Sequence, residues 1–212
     1  MKKAGILLPI IILLLIIFQE ARTQSPVSFV LNLQPISYLI SPDINGFSVS
    51  RSGSGGGWYY YSETDEISGF ASVVPNALAG ISINTPVVFL DFTGGGGFLW
   101  SGAFNGPVYM GDFAARFRIA SVFTLGFHGG VMAWSPKWTG EYSDDNDVNL
   151  GNMTGIYAGP TLTVGKKASF VFSIDYFSGK SDVYTYNNWH ANSSELNLSG
   201  VMFNFGLLIR VP

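Results

Sequence analysis

The chain is 212 residues long, 47% hydrophobic and 15% aromatic, with 26 glycines and only 12% charged residues. So little charge is unusual for a soluble domain, and a formal net charge of −3 argues against nucleic acid as a partner. The lack of cysteine excludes a disulfide framework, a thiolate metal site and a lipid anchor on an acylated cysteine.

The chain begins with Lys2 and Lys3 ahead of an apolar run from Ala4 to Phe18. That run is short for a transmembrane helix, which needs about 20 apolar residues, and has the layout of a secretory signal. Cleavage after Ala21 is expected. Removing residues 1–21 takes away Lys2, Lys3 and Glu20 and leaves 9 basic and 13 acidic side chains from 11 and 14, a net charge of −4.

From Val27 onward the sequence breaks into short amphipathic runs, read as strands at 27–40, 77–83, 87–98, 108–119, 122–134, 153–164, 168–178 and 197–211. Connections one, three, five and seven (41–76, 99–107, 135–152 and 179–196) are long. The other three, 84–86, 120–121 and 165–167, are tight. Long loops then fall at one end and tight turns, with both termini, at the other, the layout of outer-membrane barrels. Alternation assigns the faces: Phe113, Ala115, Phe117 and Ile119 point to lipid while Asp112, Ala114, Arg116 and Arg118 point inward. Phe170, Phe172, Ile174 and Tyr176 likewise face out against Ser169, Ser173 and Asp175, and Phe123, Leu125, Phe127 and Val131 against Thr124, Gly126 and His128. Slipping the fourth strand by one residue would put two arginines in lipid. The first strand is irregular, with Val30, Ile36 and Ile40 on its nominally inner face. A secreted soluble sandwich also alternates, but its polar face would be outside and richer in charge.

The last strand carries a further pattern. Val201, Phe203, Phe205, Leu207, Ile209 and Val211 are apolar at every odd position, and Asn204, Gly206, Ile209 and Val211 fit polar-x-Gly-x-x-apolar-x-apolar. This run resembles the C-terminal sorting signal by which outer-membrane barrels reach their insertion machinery. Across nearly all of 27–211 the chain resembles the small eight-stranded outer-membrane barrels of the outer membrane protein A and X type. The expectation is therefore an all-β, eight-stranded antiparallel up-and-down transmembrane β-barrel behind an N-terminal signal peptide, in the bacterial cell outer membrane. The resemblance implies outer-membrane lipid, lipopolysaccharide and the insertion machinery as partners, a monomeric state, and a non-enzymatic structural or surface-binding role. A lipid A-modifying enzyme and a small-solute channel are the alternatives.

Candidates for chemistry are few. His128 and His190 are the only histidines. Lipid A acyl-chain enzymes of such barrels use a histidine with a serine and a carboxylate near the outer rim, and His190, Ser193 and Glu195 supply those types in one loop. The serine spacing of the deacylases is not met, because Asn192 stands two residues after His190, so a polar surface loop is the simpler reading. Asp145, Asp147 and Asn149 alternate as in calcium loops but lack the central glycine and distal glutamate, and a solvated acidic loop is expected instead. Gly53, Gly55, Gly56 and Gly57 lack a following Gly-Lys-Ser/Thr and read as a linker before Trp58, Tyr59, Tyr60 and Tyr61, an interface belt or an adhesive tip. Gly94 to Gly97 read as a place of tight strand curvature. No cofactor is expected.

A narrow eight-stranded barrel is filled by side chains. Counting up from the turns places Asp91 and Arg116 at similar heights on adjacent strands, with Arg118 one inward position lower and able to share Asp91. Asp112, His128 and Asp175 form an upper polar layer. The sequence thus predicts a charged plug.

Overall fold

The computed structural model describes residues 26–55, 59–69 and 71–212. The expected signal peptide, and Gly56, Gly57 and Trp58 of the glycine-aromatic stretch, lie outside the described residues. Eight antiparallel strands make one closed sheet: β1 (Val27–Ile40), β2 (Asn76–Asn84), β3 (Val88–Trp100), β4 (Phe104–Arg118), β5 (Phe123–Trp134), β6 (Met153–Gly165), β7 (Ala168–Ser178) and β8 (Gly200–Val211). Each pairs with the next in chain order. β8 returns to β1, with Phe29 opposite Val211 and Ile40 opposite Val201. The protein is an eight-stranded up-and-down antiparallel barrel, and closure leaves no edge within this sheet.

The period-two alternation sorts side chains between two environments. On β7 every odd-numbered residue from Ser169 to Phe177 is buried and every even-numbered one is exposed. The exposed set around the wall includes Phe29, Ile81, Phe92, Phe113, Phe117, Leu125, Phe127, Ile156, Phe170 and Phe205. Their outward position leaves an apolar exterior that water would not solvate cheaply and hydrocarbon would. From Tyr109 to Ile119, at about 3.4 Å per residue and ~40° of tilt, the band is roughly 26 Å tall. Tyr38, Trp100, Tyr109 and Tyr176 are exposed on the wall towards the long loops, where amphipathic rings suit a lipid headgroup boundary.

Two expectations about the strands are corrected. Ile36 is exposed and Ile40 only partly buried, so neither belongs to the inner face. The cause is a bulge: Leu33 pairs with Leu207 but Ile36 with Phe205, so β1 carries one extra residue around Gln34 and Pro35 and its parity inverts. Ser28, Val30, Asn32 and Gln34 point in below the bulge, and Ser37 and Leu39 above it. Pro35 sits where a missing N–H does least harm to the ladder. The second long loop also shrinks. β3 and β4 pair up to Trp100 and Asn105, leaving only residues 101–103 to turn the chain.

The other long loops fold on the barrel mouth. Ser48–Gly55 and Tyr59–Glu66 form a hairpin, so Gly53 and Gly55 belong to a strand and not to a linker. Ala71–Val73 extends the wall against β1. Val148–Leu150, Lys180–Thr185 and Glu195–Asn197 make a three-stranded sheet across the third and fourth loops, and His190–Ala191 pairs with the first-loop hairpin. Beneath them lies a continuous apolar core in which Val49, Val148 and Trp189 from the loops meet Leu39, Met132 and Trp134 from the strands. Phe104 packs on Trp134 at 5.3 Å between ring centroids, and Phe47 on Trp138 at 5.8 Å.

If the exterior faces hydrocarbon, a charge at mid-height is costly. Phe113, whose ring lies 5.0 Å from that of Phe92, sits near the middle of the β4 band. Phe113→Lys should destabilise the barrel by about 2–4 kcal/mol when folding is measured into lipid vesicles, against under ~1 kcal/mol for the same change at the exposed Tyr60.

Candidate functional site

The polar groups of this fold concentrate inside the barrel, in two networks at different heights. Inward alternation on β3 and β4 brings Phe89, Asp91, Arg116 and Arg118 to the lumen near the tight turns. Arg116 pairs with Asp91 through Nη1 and Oδ2, and both side chains are 2% exposed. In register Arg116 lies opposite Phe89 and Asp91 opposite Ala114, so the ion pair runs diagonally. Ser82 on β2 donates its hydroxyl to the other Asp91 oxygen at 2.5 Å.

A second cation on Asp91 is Arg210, which the sequence did not single out. Arg210 Nη2 reaches Asp91 Oδ2 at 2.9 Å, from β8 across the lumen. The Arg118 guanidinium lies 4.8 Å from the Phe89 ring centroid, and that of Arg210 lies 4.3 Å from the same ring. The sequence signal for Arg210 was its inward parity on β8, equal to that of Asn204.

The upper network centres on His128 of β5. Its Nδ1 lies 2.8 Å from Asp112 Oδ1 on β4. Its Nε2 lies 2.7 Å from Asp175 Oδ1 on β7, a charge contact without hydrogen-bond alignment. Tyr157 on β6 donates its hydroxyl to Asp112 Oδ1 at 3.1 Å. Asn204 donates to Asp175 Oδ2 at 2.7 Å, and Ser37 on β1 donates to Asn204 Oδ1 at 2.5 Å. Tyr157, Ser37 and Asn204 as lumen residues were missed in the sequence. Tyr157 is a single aromatic among small inward neighbours on β6, and that contrast was the available clue. The remaining residues of the C-terminal pattern have structural places: Ile209 and Val211 point outward, and Gly206 lies flat against β1, where a Cβ would collide with the Leu33 carbonyl. Gly95 and Gly97 are similar, since a Cβ there would strike the backbone at Ala77 and Pro75.

The loop candidates do not converge. His190 is exposed and pairs through its backbone with Ser50. Ser193 donates its hydroxyl to the Glu195 backbone carbonyl at 2.8 Å, while the Glu195 carboxylate takes Lys180 Nζ at 2.8 Å. Asp144, ahead of the calcium candidates, caps a turn by accepting from the Asn146 amide at 2.8 Å, and that bond holds its carboxyl below the ordinary range. Asp147 accepts from Asn187 Nδ2 at 2.9 Å, and Asn149 pairs across strands with Tyr184. Among the described residues no three acidic or histidine side chains gather as a metal site. Tyr60 is 92% exposed on the hairpin, away from the barrel wall. The most elaborate polar contact in the loops is Asp65, which was not singled out in the sequence. Its carboxylate accepts from the backbone N–H groups of Glu141, Tyr142 and Ser143 and from the Ser143 hydroxyl, fastening the first loop to the third.

The fold and lumen define a closed eight-stranded antiparallel β-barrel with buried polar networks in its interior. No family model and no curated protein matches the sequence. Among solved structures the chain is similar to the crystal structure of the outer membrane protein OprG from Pseudomonas aeruginosa, at 9% identity over 87% of this chain and 95% of that one, with a TM-score of 0.49.

Asp91 neutralises two buried cations, whereas Arg116 shares its partner. Asp91→Leu should therefore cost about 3–5 kcal/mol, and Arg116→Leu only ~1.5–3 kcal/mol, the range for a hydrogen bond to a charged group. Urea unfolding in lipid vesicles gives both values, and equal costs would mean that Arg210 contributes nothing to holding Asp91.

Proposed function

We propose that this chain is an integral outer-membrane β-barrel of a diderm bacterium, of the outer membrane protein A and X type, with a non-enzymatic role. It anchors in the lipid as a monomer and presents a stitched cap of loops to the outside. The observation that carries this reading is the pairing of an apolar exterior with a lumen occupied by buried ion pairs, which leaves the loops as the surface offered to a partner. Its acidic loops would meet lipopolysaccharide through divalent ions, and β8 would carry the sequence read by the insertion machinery. The dispersal of His190, Ser193 and Glu195 onto separate partners gives the lipid A-modifying reading no geometric support.

Fractionation of cells expressing the full chain should recover it in outer membranes and release it only with detergent. Recovery in the soluble periplasm would overturn the assignment. In planar bilayers the purified barrel should show no stepwise conductance of defined size, since Asp91, Arg116 and Arg210 meet across the lumen. A reproducible unitary step would favour the channel instead.

A further inference from the structure

The barrel wall closes on itself, whereas the cap above it keeps a free edge. In the hairpin of Ser48–Gly55 and Tyr59–Glu66 the pairing parity is set at the base, where the Ile67 amide donates to the Phe47 carbonyl at 2.9 Å. On the far side of the first hairpin strand the Ser48 carbonyl accepts from the Asn192 amide at 3.0 Å, beside the pairing of Ser50 with His190. Period two then turns the N–H and C=O groups of Tyr61, Glu63 and Asp65 towards the first strand, and those of Tyr60, Ser62, Thr64 and Glu66 away from it. These last four residues are exposed, and among the described residues no strand pairs with their edge. The edge runs into a cleft of about 410 Å³, lined by Thr64 and Glu66 of the hairpin and by Gly102, Ala103, Thr139 and Glu141 of the second and third loops.

We propose that this edge is a docking site for an extended, basic peptide segment of another protein, which adds to the hairpin as a further strand and sets a lysine or arginine in the cleft. Unpaired edge groups supply the main-chain hydrogen bonds of strand addition, and a cleft beside them selects the side chain. Charge decides the occupant. Glu66 and Glu141 are exposed, and among the described residues no lysine or arginine lines the cleft. The Asp65 carboxylate, by contrast, is already taken by the amides of Glu141 and Ser143, which holds the third loop in place as the cleft wall. A second copy docking on the same edge would set its own Glu63 and Glu66 against these carboxylates, and like charges across a ladder are unfavourable. Docking here rests on the outward placement of the loops proposed above, while binding by the purified barrel is measured whatever its location, so the two readings fail separately.

The test is fluorescence anisotropy of a labelled peptide of alternating threonine and lysine, about seven residues long, titrated with the full-length barrel in zwitterionic detergent. Saturable binding is expected, at least about ten-fold tighter than for the same peptide with glutamate in place of lysine. N-methylation of one alternate set of the peptide's backbone nitrogens should abolish binding and methylation of the other set should leave it, since only one set faces the edge. Thr64→Pro removes an N–H that the hairpin does not use and should weaken binding at least about ten-fold. Glu66→Gln with Glu141→Gln should erase the preference for lysine over glutamate. The methylated peptides need no variant, so they decide even if Thr64→Pro misfolds. No saturable binding, or the same response to either methylation, would overturn the proposal. So would a concentration-dependent dimer, seen by sedimentation, that Thr64→Pro dissociates, because the edge then belongs to a second copy.

Discussion

Every backbone N–H and C=O that crosses a hydrocarbon layer needs a partner within the protein, and a sheet meets that demand only by closing on itself. Here the closing seam is β8 on β1, paired from Val211 at the turn end to Val201 at the loop end. Once the seam exists, each wall residue has only two environments, the apolar outer face or the lumen. The alternating chemistry of β4 follows directly: Phe113 and Phe117 lie on one side of the wall, and Asp112, Arg116 and Arg118 on the other.

Charge placed in so narrow a space has to be neutralised across it. Asp91 on β3 is held from β2, β4 and β8. The upper network runs from Asp112 through His128 and Asp175 to Asn204 and Ser37, with Tyr157 attached to Asp112. Between them the two networks touch all eight strands. A single buried polar substitution is therefore felt by strands that are not neighbours in the sheet, because low local dielectric makes an orphaned group expensive. The loop end is held differently, by apolar packing under a cap joined through Asp65 and the paired loop strands.

The barrel strands were largely legible because period-two alternation is a local property, and the spacing between turns fixes the height of each inward residue. Asp91, Arg116, Asp112, His128 and Asp175 could all be placed by that counting. Arg210 was overlooked because the last strand invited a reading as a sorting pattern, which looks past its inward face. The contact of Arg210 with Asp91 depends on side-chain reach across the lumen, which no strand-by-strand count contains. The loop cap was illegible for a related reason. His190 with Ser50, and Asp65 with Glu141, Tyr142 and Ser143, join segments far apart in sequence through backbone groups that every residue possesses. Local composition suggested catalysis, calcium and a glycine linker, and none of those patterns distinguishes a loop that folds from one that does not.

The bulge at Gln34 and Pro35 has a consequence for assembly. Until the last strand arrives, β1 is an exposed edge, open to any extended segment of another chain. Its inverted parity makes that edge a poor template: a regular strand that matches the stretch below Leu33 presents the wrong face above Ile36. Gly206 is the complement, a residue without a side chain beside the Leu33 carbonyl, where any Cβ would be refused. The two ends of the chain thus form a lock and its key, and the bulged edge accepts its own last strand over a regular strand of different sequence.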